Sequence, residues 1–182
     1  MQNSVETLLE SDHESLGQLL TELDLALTDV NVSRSFELLD QFWARLAVHI
    51  RAEHLHLFPA LADASLLPFT GKDGLPTSDQ VHKLLEQLRS DHDFFMKELA
   101  DMIRVMRNMI ARQPDSKEAD DLRKRLMTIT SRLEAHNELE ETQAYAWVGL
   151  LVDAQIVADL HGRIRHELEN LPPRLRSKYI RT

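Results

Sequence analysis

Leu46-Ala47-Val48-His49-Ile50-Arg51-Ala52-Glu53 lies in the middle of a long amphipathic segment. Around it Leu39, Phe42, Leu46, His49, Glu53 and His56 recur at alternating intervals of three and four. That is the stripe a helix turns toward its neighbours in a bundle. Leu39, Phe42 and Leu46 belong on such a stripe. A histidine and a carboxylate do not, because desolvating an unpaired carboxylate costs several kcal/mol. His-x-x-x-Glu places two donors one helical turn apart and pointing the same way. A metal ion is the simplest compensator of that buried charge, provided other helices bring matching ligands.

Working outward, residues 4–27 carry Leu9, His13, Leu16, Leu20, Leu23 and Leu27 at the same rhythm, with His13 on the apolar stripe. Asn31-Val32-Ser33 reads as a turn, with Ser33 the expected N-cap of the segment over residues 34–62. Residues 63–78 hold Pro68, Gly71, Gly74 and Pro76 and form the one long loop. A third segment, residues 79–112, threads His92 between Leu88 and Phe95 on the stripe running from Val81 to Met109. Gln113-Pro114-Asp115 breaks it. A fourth, residues 116–146, has Leu122, Leu126, Ile129, Leu133, His136 and Glu140 on its seam, followed by Gln143 and Trp147. No run alternates with period two, so no strand is expected. The pattern predicts an all-α fold, an up-down-up-down four-helix bundle over residues 1–150. Residues 151–182 add a short C-terminal helix and a basic tail of Arg174, Arg176, Lys178 and Arg181.

The chain also repeats itself. Ser11-Asp12-His13 and Ser90-Asp91-His92 each open a stripe, and a His-x-x-x-Glu pair comes 36 to 44 residues after each. Any one histidine on an apolar face is more often a hydrogen-bonded core residue than a ligand. The set differs, since His13, His49, Glu53, His92, His136 and Glu140 all fall on the inward stripe of their own helix and two are carboxylates. Arg51 and Arg132 do not share a face with Glu53 or Glu140 and so are not their expected partners. His56 is a candidate seventh ligand at Glu-x-x-His spacing, though its counterpart is Gln143. His54 and His82 fall off the stripe and read as polar-face residues, and His161 and His166 as solvated or boundary ones.

Composition narrows the chemistry. With 43% hydrophobic and 28% charged residues in 182, the chain suits one globular domain. A net charge of −9 argues against a nucleic-acid partner, whose affinity rests on Lys and Arg. No cysteine is present, which removes disulfides, thiolate ligands and Cys nucleophiles. No secretory pattern or membrane-length apolar run is visible, so a cytoplasmic setting is expected. Four imidazoles with two carboxylates suit iron, manganese or zinc. Two carboxylates bridging two ions would leave each an open position or room for a bridging oxide or hydroxide, where a closed zinc site needs fewer ligands.

These residues resemble the hemerythrin-like HHE cation-binding domains over about residues 8–146. The resemblance rests on Asp12-His13, His49-x-x-x-Glu53 leading into Leu57-Phe58-Pro59, Asp91-His92, and His136-x-x-x-Glu140-Glu141. It implies a non-haem centre of two iron ions, zinc or manganese being substitutes, with the six residues as ligands and Glu53 and Glu140 bridging. Oxygen-carrying hemerythrins have a fifth histidine and an aspartate that do not line up here. The family's iron–sulfur repair proteins carry a cysteine-bearing N-terminal region, which this chain lacks.

The expected function is binding or sensing of a small diatomic or reactive species, O2, NO or peroxide, in a stress response. No catalytic residue is assigned. Iron handling or iron-centre repair, an NO- or peroxide-reducing enzyme needing an electron donor, and a metal-free helical interaction module are the competing readings. A regulatory protein and a second copy of the chain are further candidate partners, and a membrane is not.

Overall fold

A computed structural model describes residues 4–67, 74–112 and 116–175. Among the described residues it is all-helical, with no strand. The first helix, α1 (Val5–Thr28), starts where Ser4 Oγ accepts from the Thr7 amide at 3.0 Å. A tight turn through Val30, at φ 53°, leads into α2 (Val32–Ala52). The N-cap there is Asn31, whose side chain accepts from the Arg34 amide at 3.1 Å, and not the expected Ser33. Asn31 carries a side-chain carbonyl at the point where the chain leaves the turn, one residue before the helix begins. Helix α3 (Phe58–Ala64) continues from α2, and α4 (Ser78–Ile110) opens with a reciprocal capping box between Thr77 and Gln80. Helices α5 (Ser116–Leu139), α6 (Ala146–Leu151) and α7 (Ala154–Leu168) complete the chain. Residues 68–73 of the expected loop, the Gln113-Pro114-Asp115 break and the tail from residue 176 onward lie outside the described residues.

The four long helices pack in a closed ring, α1 on α2, α2 on α4, α4 on α5 and α5 on α1. Every residue placed on their apolar stripes as far as Glu53 and Glu140 is buried. Beyond each glutamate the regular period fails. Glu53–Leu57 and Glu140–Tyr145 are π-helical turns, in which the Phe58 amide bonds the Glu53 carbonyl five residues back. The extra residue per turn rotates every later side chain about the helix axis. Ala144, Tyr145 and Val148 are buried where the regular period places Gln143 and Trp147 inward, and Leu57 and Phe58 are buried while His56 is only half-buried.

The core divides into two apolar slabs. One gathers Leu16, Leu23, Phe42, Leu46, Phe95 and Leu133 among others, and the second Leu9, Ala52, Leu57, Phe58, Leu88 and Tyr145. A layer of buried polar residues lies between them, because each helix crosses from one slab to the other at its histidine. Helix α7 packs on α1 and α2, tied by an Arg51–Glu167 ion pair. Arg174 holds Asp40 at 2.9 and 3.0 Å.

Candidate metal centre

The polar layer is built from one histidine per long helix, His13 on α1, His49 on α2, His92 on α4 and His136 on α5. Glu53 and Glu140 are the first residues of the two π turns and are 0% exposed. The imidazoles meet in pairs, His13 Nε2 lying 3.1 Å from His49 Nε2 and His92 Nε2 3.0 Å from His136 Nε2. Two nitrogens held by one ion at right angles, each about 2.1 Å away, stand about 3.0 Å apart. Each carboxylate reaches both pairs. Glu53 sets Oε1 3.5 Å from His49 and Oε2 3.4 Å from His92. Glu140 sets Oε2 3.4 Å from His13 and Oε1 3.1 Å from His136. Within 4.8 Å, His13, His49 and Glu140 form one group that could hold a metal ion, and His92, His136 and Glu140 another. Glu53 Oε2 and Glu140 Oε1 have near contacts but no hydrogen-bond partner. A buried carboxylate oxygen without one is costly, so these atoms fit a cation between the histidine pairs.

The outer imidazole nitrogens are fixed in turn. His49 Nδ1 donates to Asp12 at 3.0 Å, and Arg45 braces that carboxylate. In the second half His136 Nδ1 faces Asp91 at 3.4 Å, and Arg132 Nε donates to Asp91 at 2.8 Å. Such partners fix the tautomer so that Nε2 faces inward as a bare donor. The remaining two cross between halves. His13 Nδ1 donates to Glu141 at 2.8 Å, and His92 Nδ1 meets His54 Nε2 at 2.9 Å.

His54 is therefore not the polar-face residue expected, because a residue one step past the glutamate leans over the neighbouring helix. His54→Ala is expected to weaken metal binding on the His92 side by about 10- to 100-fold while sparing the His13 side. Metal titration of the variant against the wild type checks this. His82 is exposed, facing Glu86 at 3.7 Å, and His166 is exposed, as expected.

Burial opposes charge at each of these positions, and the neighbours decide the outcome. Burial depresses His49, but the Glu53 charge and the hydrogen bonds to Asp12 and Glu53 outweigh it and hold it well above 6.5. His136 is also raised, since the close Glu140 carboxylate and its charge overcome burial. Burial takes His92 down to about 2, against the pull of Glu140. Glu140 is held well below the usual carboxylate value, burial being overcome by the close imidazoles of His13 and His136. Burial and the Glu140 charge together raise Glu53.

The metal-free centre thus keeps protons on His49 and His136 that a metal must displace. Loading at pH 6.5 is expected to release protons from these two imidazoles, read with an indicator dye in weak buffer. Release near zero would mean that both imidazoles were already neutral. Raised histidine values stabilise the metal-free fold fully below 6.5, and that contribution is lost as pH rises through the folded values. Metal affinity grows over the same window, so stabilisation by metal is expected to increase with pH.

The family model described as the hemerythrin HHE cation binding domain matches residues 4–148. The chain belongs to the hemerythrin HHE family. No curated protein and no solved structure gives a match. The hemerythrin match spans all six residues of the centre and both π turns.

Within this hemerythrin domain, sequence reading missed two aromatic residues. Tyr145 Oη lies 3.2 Å from Glu53 Oε1, 3.2 Å from Glu140 Oε2 and 3.3 Å from His13 Nε2. Burial and the two carboxylates push the phenol well above its usual value, so it remains a proton donor. Phe58 holds the equivalent place in the first half and stacks on His92, with ring centroids 5.9 Å apart at 4°. Both lie five residues past the glutamate. Extending the internal repeat that far would have exposed the pair, as it would His54 and Glu141 at one residue past.

Proposed function

We propose that this chain is a non-haem di-iron protein that binds or senses a small diatomic or reactive oxygen or nitrogen species. The observation that carries this is the pair of buried glutamates, each with an oxygen toward either histidine pair and each with one oxygen unpartnered. His13, His49, His92 and His136 would be the nitrogen ligands, with Glu53 and Glu140 bridging, in an up-down-up-down bundle. Nitrogen and oxygen donors without thiolate suit iron, with manganese or zinc as substitutes. When bound, the iron pair supplies reversible ligand binding or one-electron chemistry to a small molecule.

The chain's own residues prepare that centre. Asp12 and Asp91 orient the imidazoles, and Arg45 and Arg132 balance the aspartates. Phe58 and Phe95 press against His92 and His136 and keep water from them. Tyr145 places one hydroxyl proton between the two carboxylates. Each of these contacts holds the centre rigid and dry, which favours binding over turnover. A basic tail and a second copy of the chain stay outside this mechanism.

Iron content on anaerobically purified protein, with spectra before and after oxidation, tests the proposal. About two irons per chain with ferric charge-transfer bands in the near ultraviolet are expected. No iron after reconstitution, or a single tightly held zinc, would overturn it. Mixing the reduced protein with NO or O2 then separates a stoichiometric adduct from consumption of many equivalents.

A further inference from the structure

A groove of about 650 Å³ runs between α1 and α5, within the volume range of small-molecule sites. On the α1 rim Gly17 has no side chain, and a Cβ there would meet nothing within 4 Å. On α5, Met127, Thr130, Glu134 and Asn137 follow at intervals of three and four and share the face that lines the groove. Leu20, Leu126 and Leu133 supply apolar walls. His13 also borders it, but both of its ring nitrogens are engaged, Nδ1 with Glu141 at 2.8 Å and Nε2 with His49 at 3.1 Å. It therefore offers the groove no free nitrogen.

The polar groups of the groove are unbalanced toward acceptors. Among the described residues that line it, Arg123 is the one arginine or lysine, and Asp24 holds it through two hydrogen bonds of 2.7 and 3.1 Å. Thr21 Oγ1 donates to the Gly17 carbonyl at 3.0 Å. Glu134 has no ion-pair partner among the described residues. Asn137, one helical turn further on, has its Oδ1 buried without a hydrogen-bond partner. A buried carbonyl oxygen without a donor is costly, so it calls for an N–H or O–H from outside the chain. The carboxylate beside it calls for positive charge, and the leucine walls for a hydrocarbon tail.

We propose that the α1–α5 groove is a binding site for a small organic ammonium ion. Its N–H donors would lie between Glu134 and Asn137, and its tail along Leu20, Leu126 and Leu133. The site is separate from the metal centre and does not depend on the di-iron reading. A primary alkylamine carries its charge at neutral pH, as a lysine side chain does. An anion is repelled by Glu134 and finds its one cation, Arg123, already paired. A neutral alcohol satisfies Asn137 and leaves Glu134 without a counter-charge.

Calorimetric titration of the full chain with octylammonium, octanol and octanoate tests the site. One octylammonium per chain is expected, bound about fivefold more tightly than octanol, with octanoate weakest. Glu134→Gln should erase that preference and leave octanol unchanged, whereas Asn137→Ala should weaken both about fivefold. Gly17→Trp fills the groove and should abolish binding, while Gly149→Trp, an equally open glycine in α6 outside the groove, should preserve it. Melting curves establish that each variant is folded, and metal-free and iron-loaded chains should bind octylammonium equally.

No binding, equal affinity for octylammonium and octanol, or a preference for octanoate would overturn the ammonium assignment. Binding indifferent to Glu134→Gln and Gly17→Trp would mark adsorption of a surfactant, and binding only in the iron-loaded chain would place the probe on the metal. Either result would overturn the proposal. Sedimentation tests the remaining occupant. A dimer that Gly17→Trp dissociates and octylammonium does not enter would seat a second copy in the groove and overturn the amine.

Discussion

If the centre holds two ions as proposed, Glu140→Ala is expected to take metal content from about two to at most one per chain. Glu140 belongs to both groups that could hold an ion, with one oxygen toward His13 and the other toward His136. Removing it leaves four imidazoles facing a single carboxylate, and His136 loses the adjacent charge that raises it. An ion present at about a thousand times its dissociation constant stabilises the native state by about 4 kcal/mol. The variant should therefore lose most of the thermal shift that metal confers on the wild type. Glu140→Gln separates charge from volume, because it preserves the packing and removes the anion. If Glu140→Gln kept both ions, the carboxylate would be structural. Metal analysis with melting curves, with and without added iron, decides between them.

Phe58→Ala is expected to be the most damaging single change to the fold, costing about 3–5 kcal/mol. Its ring is 0% exposed and joins the second slab to the polar layer through His92 and His54. Truncation opens a cavity against a layer of polar groups, so water can enter beside His92 and end the dry environment that keeps this imidazole neutral. The melting temperature should fall by roughly 10 °C. On the proposed two-ion reading, metal at the His92–His136 pair should become labile while metal at the His13–His49 pair remains. Phe58→Leu should recover most of the stability and less of the metal retention, since a leucine fills volume but cannot stack. A loss below about 1 kcal/mol in denaturant titrations would show that the ring carries no packing load.

No helix among the described residues is long and apolar enough to cross a membrane. The helical class and the inward set of six are legible in the sequence because both depend on local periodicity. A residue at intervals of three and four shares a helix face whatever the partner helix is. Counting alone therefore places His13, His49, Glu53, His92, His136 and Glu140 on buried stripes, and Glu is rarely buried without cause. The internal repeat supplies the pairing of halves.

The rest depended on three dimensions. The π turns at Glu53 and Glu140 arise from packing, and each adds a residue that breaks the period by which His56, Gln143 and Trp147 count as inward. Tyr145 and Phe58 enter the centre for that reason. Crossed contacts such as His13 with Glu141, 128 residues apart, leave no trace in the period of either helix, only in the repeat between the halves. The groove between α1 and α5 is a property of the space between two helices, which depends on the side chains facing across it. Periodicity determined which face of each helix turns inward. Only packing decided what meets there, because distances between faces are set by the volumes of side chains remote in sequence.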